Sequence, residues 1–313
     1  MTKQPISIAV IGAGVIGLTS AIRLLEAGHT VTIFAKATTP ATTSDIAAAY
    51  WAPHEYGSQR RRAWTMRSLA VFLELSQEPT SGVDVVPLVE LVDEPGVEFH
   101  DLGVATTVVP LGCFPAPWHG VQLSAPRIDV PTYMPWLTQR FFTLGGTLHQ
   151  VEITDLATLG NDYRWLVNCT GLGAKALTGD KLYPIRGQVM RVRRPQDFPP
   201  DIISASSATA TTYIVPRRND CLLGGTFQFH NGDMRIDPQT AEGILQRCTA
   251  LRPALQGAEI LEHRVGLRPG RRAVRLEREQ LTNGSTVIHN YGHAAYGHTL
   301  SWGCAEEVVR MAA

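Results

Sequence analysis

The run ISIAVIGAGVIG at residues 6–17 decides the fold of this chain. Its apolar first half reads as a buried strand that leads directly into a glycine-rich turn. After the turn, apolar residues recur at helical spacing, and residues 30–34 read as a second strand once Gly28 has ended the helix. Strand, glycine turn, helix and strand in this order predict a β-α-β unit and an α/β fold of the Rossmann type.

The glycines of this turn have separate tasks. Gly12 permits the tight turn, Gly14 lets the backbone approach a pyrophosphate, and Gly17 brings the helix close to the strand. The first turn of the helix then offers free N–H groups and a partial positive charge to phosphate. We therefore expect a bound dinucleotide, contacted by Gly12, Ala13, Gly14, Val15, Ile16 and Gly17.

The end of the second strand leaves the kind of dinucleotide open. An acidic residue usually stands there and binds the ribose hydroxyls, but this chain has Lys36. A cation at that place suits a 2′-phosphate. Taken alone, Lys36 favours NADP about as much as FAD, so an NADP-dependent reductase is one alternative function.

Composition points to small-molecule partners. The 313 residues exceed the size at which one hydrophobic core usually stops growing, about 250 residues, so we expect two closely joined domains. Lys and Arg together number 28, as do Asp and Glu, and this balance favours neither nucleic acid nor membranes. The five cysteines are widely spaced, which predicts neither a disulfide framework nor a metal site. With no recognisable signal peptide or membrane span, we expect a cytoplasmic protein.

The rest of the chain predicts the second domain. Helical patterns occur near 60–78, 131–144 and 238–251, whereas residues 181–230 alternate between apolar and polar and predict an antiparallel sheet. The tail returns to a strand, a glycine-rich turn and a helix. We expect a discontinuous nucleotide-binding domain of residues 1–50, 60–80, 128–180 and 269–313, and an inserted α+β substrate domain with an antiparallel sheet, of residues 51–59, 81–127 and 181–268.

A series of ordered motifs resembles the D-amino acid oxidase family over nearly the whole chain. The matching stretches are residues 12–17, TTSDIAA at 42–48, VNCTG at 167–171, RGQV at 186–189, YIVP at 213–216, LGGTFQ at 223–228, GLRP at 266–269, RLERE at 275–279 and VIHNYGH at 287–293. This resemblance implies a Rossmann-type FAD-binding domain with an inserted sheet domain. It also implies FAD-dependent oxidative deamination of D-amino acids to 2-oxo acids, ammonia and hydrogen peroxide, with dioxygen as the electron acceptor.

Arg268 and Tyr213 are the expected substrate anchors. A guanidinium is a planar fork that binds a carboxylate bidentately, and Arg268 would hold the substrate with its α-C–H toward the flavin. The resemblance implies that Tyr213 contacts the same carboxylate. No general base is required if the uncharged amine transfers a hydride from the α-carbon to flavin N5.

The turn at residues 293–299 carries the remaining expected contacts. In the family, backbone carbonyls of this turn hold the amino group and the flavin ring, which implies a catalytic role for Ala295. Two alanines stand here where the family usually has glycines, and a positive φ at either would cost about 1 kcal/mol. A flavin-binding protein without turnover is therefore a second alternative. The expected cofactor contacts here are Ala294, Ala295, Tyr296, Gly297, His298 and Thr299.

The resemblance implies further cofactor contacts. The hydroxyl-rich loop is suited to phosphate and flavin, and the chain after it passes the flavin at Ala47, Ala48 and Trp51. Together with Lys36 and Arg268, the expected contacts are Thr42, Thr43, Ser44, Ala47, Ala48 and Gly171. We expect packing or surface positions rather than acid-base roles for His54, His293 and His298.

The sequence contains few signals for which substrate side chains are preferred. Phe227 stands where a cation would suit acidic substrates, so neutral or apolar side chains are favoured. Arg217 and Arg218 follow Pro216 at an apparent hairpin tip and are expected to face solvent. D-Aspartate, glycine and sarcosine remain alternative substrates, and a homodimer is common among relatives.

Overall fold

The computed structural model describes residues 5–53, 57–93, 103–110, 112–207 and 210–312. They form two sheets with helices packed on them. The strands are β1 Ser7–Ile11, β2 Thr30–Ala35, β3 Val83–Val92, β4 Thr107–Val108, β5 His119–Ile128, β6 Thr147–Gln150, β7 Trp165–Asn168, β8 Tyr183–Arg193, β9 Ile202–Ser206, β10 Thr211–Pro216, β11 Asp220–Gly224, β12 Gln228–Phe229, β13 Ile260–Gly270, β14 Arg275–Gln280 and β15 Thr286–Tyr291. The helices are α1 Val15–Glu26, α2 Gln59–Leu75, α3 Val130–Thr143, α4 Leu156–Gly160, α5 Ala174–Thr178, α6 Pro238–Leu251 and α7 Gly297–Ala312.

The first sheet has the order β14-β15-β7-β1-β2-β6. Strands β15, β7, β1, β2 and β6 run parallel, and β14 joins the edge antiparallel. The chain therefore builds this sheet from strands near both of its ends. Parallel strands share one carboxyl edge, which is where open α/β sheets bind ligands.

The second sheet has nine strands, in the order β12-β8-β11-β10-β9-β3-β5-β4, with β13 on the other edge of β8. Its pairs are antiparallel except for β3 and β9, which run parallel. One face packs against the helices and strands of the first sheet, and the other is covered by α6. The predicted mixed architecture, a Rossmann-type sheet plus a largely antiparallel sheet, is confirmed.

Helices α1 and α7 close the first sheet from one side. Apolar residues of both helices are fully buried in the main core. The Thr19 hydroxyl lies 3.3 Å from the carbonyl oxygen of Ser301, across 282 residues of chain. Gly303 of α7 also lies against α2, where an added Cβ would stand 2.2 Å from the Trp64 carbonyl oxygen. No helix in the described residues has the length and apolar content needed to cross a membrane.

One surface prediction was wrong. Arg217 is only 2% exposed and donates from both Nε and Nη2 to the carboxylate of Asp220, at 2.6 and 2.8 Å. Residues at the two ends of a tight hairpin connection face each other, so this arginine folds back onto its own hairpin. Arg218 is exposed, as predicted.

Candidate active site

A cavity of about 820 Å³ lies between the two sheets. The carboxyl ends of β1, β2 and β7 line one part of it, and strands β8, β9, β10 and β13 line the other. Every predicted cofactor or substrate residue except Gly17 and Trp51 lies on this cavity wall. The predicted residues that line it are Gly12, Ala13, Gly14, Val15, Ile16, Lys36, Thr42, Thr43, Ser44, Ala47, Ala48, Gly171, Tyr213, Arg268, Ala294, Ala295, Tyr296, Gly297, His298 and Thr299.

The glycine turn behaves as its spacing predicted. Gly12 has φ +106°, and a Cβ there would stand 2.6 Å from the Cys169 carbonyl oxygen. Gly17 lies behind the wall, where an added Cβ would stand only 1.9 Å from the Gly12 carbonyl oxygen. Gly17 therefore supports the turn through close packing rather than by facing the cavity.

The hydroxyl-rich loop is tied to the N-terminus of α1. The Ser44 hydroxyl accepts a hydrogen bond from the Val15 N–H at 2.9 Å. Asp45, which sequence reasoning missed, is 5% exposed and accepts from the Thr39 hydroxyl and from the Thr42 N–H, at 2.6 and 2.8 Å. One buried carboxylate thus fixes the loop that brings Thr42, Thr43 and Ser44 to the wall.

Lys36 has a partner that its own strand does not reveal. Its ammonium lies 2.9 Å from Glu152, which follows β6 and also lines the cavity. A carboxylate that follows the neighbouring strand β6 therefore lies beside the end of β2. Because Glu152 comes 116 residues after Lys36, local sequence gave no signal for it.

Arg268 and Tyr213 meet on the face of the second sheet. Arg268 Nη1 donates to the Thr226 carbonyl oxygen at 2.9 Å, and its guanidinium carbon lies 4.3 Å from the centre of the Phe227 ring. Burial raises the pKa of Tyr213, which the charge and hydrogen bond of Arg268 partly offset. Tyr213 is therefore a neutral hydroxyl that can donate beside a fixed cation, which is a suitable pair for a carboxylate.

Glycines make the room for this pair. A Cβ on Gly187 would stand 2.3 Å from Arg268 Nη1, and a Cβ on Gly224 or Gly225 would stand 2.2 Å from the Tyr213 ring. These positions fall in the RGQV and LGGTFQ stretches, so the sequence gave a signal, but only the strand register shows which side chains they accommodate.

The turn at residues 293–299 presents polar atoms and one strained residue. Ala294 has φ +48°, so one of the two alanines does occupy the left-handed region. Burial lowers the pKa of His293 to about 3 and of His298 to about 4, so both rings are neutral. His298 Nε2 donates to the Ser44 carbonyl oxygen at 3.1 Å. Their burial fits the predicted packing role; His54 lies outside the described residues.

The wall fits a large polar cofactor. Three buried atoms of cavity-lining residues have no hydrogen-bond partner within the described ranges: Nε2 of His293, Nδ1 of His298 and Oδ1 of Asn290. Buried polar atoms are normally satisfied, so these atoms indicate a bound polar molecule.

Trp51 is a correction to the predicted contacts: it is fully buried, donates to the Thr65 carbonyl oxygen at 2.9 Å and does not line the cavity.

Comparison with known proteins agrees with this geometry. Residues 7–311 match the DAO family, described as FAD dependent oxidoreductase. The chain is 41% identical to a D-amino-acid oxidase of Rubrobacter xylanophilus, with 97% of this chain and 94% of that protein covered. It is 39% identical to a D-amino-acid oxidase of Streptomyces coelicolor, covering 97% and 96%, and 34% identical to human D-aspartate oxidase, covering 97% and 94%.

Among solved structures, glycine oxidase from Bacillus cereus superposes with a TM-score of 0.82 at 20% identity, covering 97% of this chain and 96% of that one, which shows a shared fold. The match to an FAD-dependent family resolves the choice that Lys36 left open, and the NADP alternative is not supported. The chain belongs to the DAO family of FAD-dependent oxidoreductases, and its cofactor is FAD.

Proposed function

We propose that this enzyme oxidises D-amino acids to 2-oxo acids, ammonia and hydrogen peroxide, with dioxygen as the electron acceptor. The observation that carries the proposal is the Arg268–Tyr213 pair, which lies on the wall of the cavity that the glycine turn also lines. A guanidinium and a phenol side by side are donors for a carboxylate. The names of the relatives in Rubrobacter and Streptomyces support the D-amino acid as substrate.

We propose that different groups of residues on the cavity wall hold different parts of FAD. Residues 12–16 and the N-terminus of α1 would hold the pyrophosphate, with Gly17 as support, and Glu152 and Lys36 would lie beside the ribose hydroxyls. Thr42, Thr43, Ser44, Ala47, Ala48 and Gly171 would contact the phosphates and the flavin, and residues 294–299 would hold the ring system. Held there, FAD would supply the acceptor for the hydride of the substrate α-carbon, and dioxygen would take up the electrons.

The chain itself supplies binding and orientation. Arg268 and Tyr213 would fix the carboxylate, and the backbone carbonyl of Ala295 would accept a hydrogen bond from the amino group. Two fixed points on the substrate leave one orientation for its α-C–H, which is a positioning contribution to the rate. His293 and His298 are poor bases, because burial lowers their pKa to about 3 and about 4. The arrangement therefore suits a substrate that enters with an uncharged amine and needs no general base.

Phe227 supports the proposed preference for neutral or apolar side chains. It lines the cavity beside Arg268 and brings an apolar ring to the place where a second cation would favour acidic substrates. D-Aspartate, glycine and sarcosine are the alternatives within this family fold.

We also propose the domain boundaries predicted above, with the two sheets as the cores of the two parts. A cytoplasmic location is supported by the five cysteines, all of which are free. A homodimer is a further expectation, and sedimentation of the purified protein measures it directly.

The test is anaerobic reduction of the purified yellow protein by a panel of neutral, acidic and basic D-amino acids, with glycine, sarcosine and L-isomers as controls. Loss of the visible flavin absorbance with D-isomers but not with L-isomers is the expected result. A yellow protein that no D-amino acid bleaches would overturn the oxidase function and favour the alternative without turnover. Bleaching fastest with D-aspartate or glycine would overturn the side-chain preference alone.

A further inference from the structure

One carboxylate lies on the cavity wall. Among the residues that the structure describes, Glu152 is the single acidic side chain that lines the cavity, and Lys36 and Arg268 are the cations there. The pyrophosphate of FAD is negatively charged, so a carboxylate on this wall is unfavourable unless it contacts a part of FAD that donates hydrogen bonds. The hydroxyl groups of the adenosine ribose are such donors.

Strand pairing places Glu152 beside the end of β2. The two strands β2 and β6 run parallel, with Ala35 opposite Gln150, and the Val151 N–H donates to the Ala35 carbonyl oxygen at 2.9 Å. Glu152 therefore follows β6 at the same carboxyl edge at which Lys36 follows β2. Neighbouring strands are about 4.8 Å apart. Glu152 thus begins one strand spacing from the position where an acidic residue usually binds the ribose hydroxyls.

The ion pair with Lys36 restrains this carboxylate and offsets its charge. The Lys36 ammonium lies 2.9 Å from Oε1 of Glu152, and the two side chains are 73% and 56% exposed. At this exposure the pair itself contributes little to stability. A carboxylate has about four lone-pair sites, so one bond to an ammonium leaves capacity for other donors. The charge of Lys36 is meanwhile compensated by Glu152.

We propose that Glu152 is a cofactor-binding residue that accepts hydrogen bonds from the hydroxyl groups of the adenosine ribose of FAD. In this chain the acceptor comes from the end of β6, and Lys36, at the end of β2, holds it in position. The inference deepens the placement of FAD proposed above and rests on that placement, but not on the identity of the substrate.

The test measures how strongly the enzyme prefers FAD over an analogue that lacks both hydroxyls of the adenosine ribose. The purified holoenzyme is dialysed to equilibrium against equal concentrations of the two flavins, and the bound flavins are then separated and quantified. Hydrogen bonds to an exposed carboxylate should favour FAD by about tenfold in the wild-type protein. In Glu152→Gln, which keeps the shape but offers only the weaker amide acceptor, the preference should fall to about threefold or less.

Lys36→Met is the second variant, because it separates the two members of the ion pair. If Glu152 accepts the ribose hydroxyls directly, replacing Lys36 should leave the preference for FAD within about twofold of the wild-type value. A loss of preference in Lys36→Met equal to or larger than that in Glu152→Gln would overturn the proposal and assign the ribose contact to the lysine.

Glu259→Gln is the matched control. Glu259 forms an ion pair of similar exposure with Arg193, at 2.5 Å and away from the cavity wall, so its variant should keep the wild-type preference. An equal preference in Glu152→Gln and Glu259→Gln would overturn the role of Glu152.

FMN, which lacks the adenosine, tests for a structural effect of the substitution. Its dissociation constant should be the same in the wild-type protein and in Glu152→Gln, and an equal weakening of FMN and FAD would overturn a specific ribose contact. Failure of every D-amino acid to bleach the flavin would overturn the proposed oxidation but would leave these preferences unaffected, so the two failures are distinguishable.

Discussion

The two ends of the cavity are built in different ways. At the nucleotide end, the turn at residues 12–16 and the loop at 42–48 supply a large part of the wall from two short stretches of chain. At the substrate end, Arg268, Tyr213 and Ser204 come from three strands and meet only through their register. Local sequence therefore specifies the first end, whereas strand pairing and the absence of side chains at Gly187, Gly224 and Gly225 specify the second.

The largest expected effect separates the two ends directly. Arg268→Ala removes the charged anchor of the substrate carboxylate and leaves the glycine turn untouched. We expect kcat/KM for neutral D-amino acids to fall roughly 10²- to 10³-fold, the usual cost of removing one partner of a buried charged pair, while FAD stays bound. Steady-state kinetics and the flavin spectrum of the purified variant measure both, with the exposed Arg193→Ala as control. A variant that keeps its kcat/KM would show that the carboxylate is bound elsewhere.

A smaller effect tests whether empty space matters at the substrate end. In Gly187→Ala, the new Cβ would stand 2.3 Å from Arg268 Nη1, which is too close for a normal contact. The end of a flexible side chain can move aside, so the fold should persist while kcat/KM falls about tenfold through a displaced anchor. The control is Gly232→Ala, where the nearest atom would be at 3.8 Å. Equal kinetics in the two variants would contradict the packing role assigned to Gly187.

The buried histidines of the 293–299 turn predict an acid-sensitive fold. Their pKa values of about 3 and about 4 in the folded state lie below the ordinary 6.5, so the unfolded chain binds more protons between these limits. The contribution of these two histidines to the free energy of unfolding is therefore fully present above about pH 6.5. It falls as the pH drops below that value, by up to about 1.4 kcal/mol per pH unit for each group. Urea unfolding at several pH values measures this slope.

His298→Gln should flatten that slope, because the glutamine does not titrate. His149→Gln, at an exposed position, is the control and should keep the wild-type slope. Identical slopes in all three proteins would mean that the His298 ring does not contribute to the acid limit.

The smallest expected effect distinguishes two adjacent alanines. Ala294 has φ +48° and Ala295 is not in the left-handed region, so glycine should act oppositely at the two sites. Ala294→Gly should raise the free energy of unfolding of the apoprotein by up to about 1 kcal/mol, and Ala295→Gly should lower it by about 0.5–1 kcal/mol. Chemical denaturation of the two variants decides this, and a shift of the same sign in both would refute the strain at Ala294.

The difference between the nucleotide end and the substrate end of the cavity also explains which features the sequence predicts. The strands and helices around the glycine turn were predictable because apolar periodicity and glycine spacing are local properties. The resemblance identified Arg268 and Tyr213, and the structure brings them together.

Other features depended on contacts that no local pattern contains. The partner of Lys36, Glu152, follows another strand, β6, far along the chain. A hairpin position predicts that Arg217 is exposed, but its ion pair with Asp220 holds the side chain in the interior. Trp51 follows the loop at residues 42–48, but its side chain is fully buried in the core and does not line the cavity.

The packing of α1 against α7 has a consequence for biosynthesis. The hydrogen bond from Thr19 to Ser301 spans 282 residues, and α7 together with the turn before it forms part of the cavity wall. During synthesis, the glycine turn and α1 are made long before α7, which packs against α1 in the folded protein. The apolar face of α1 therefore stays exposed until α7 has been made. We therefore expect FAD to bind only after α7 has been synthesised, and chains interrupted before α7 to be more exposed to chaperones and proteases than the complete chain.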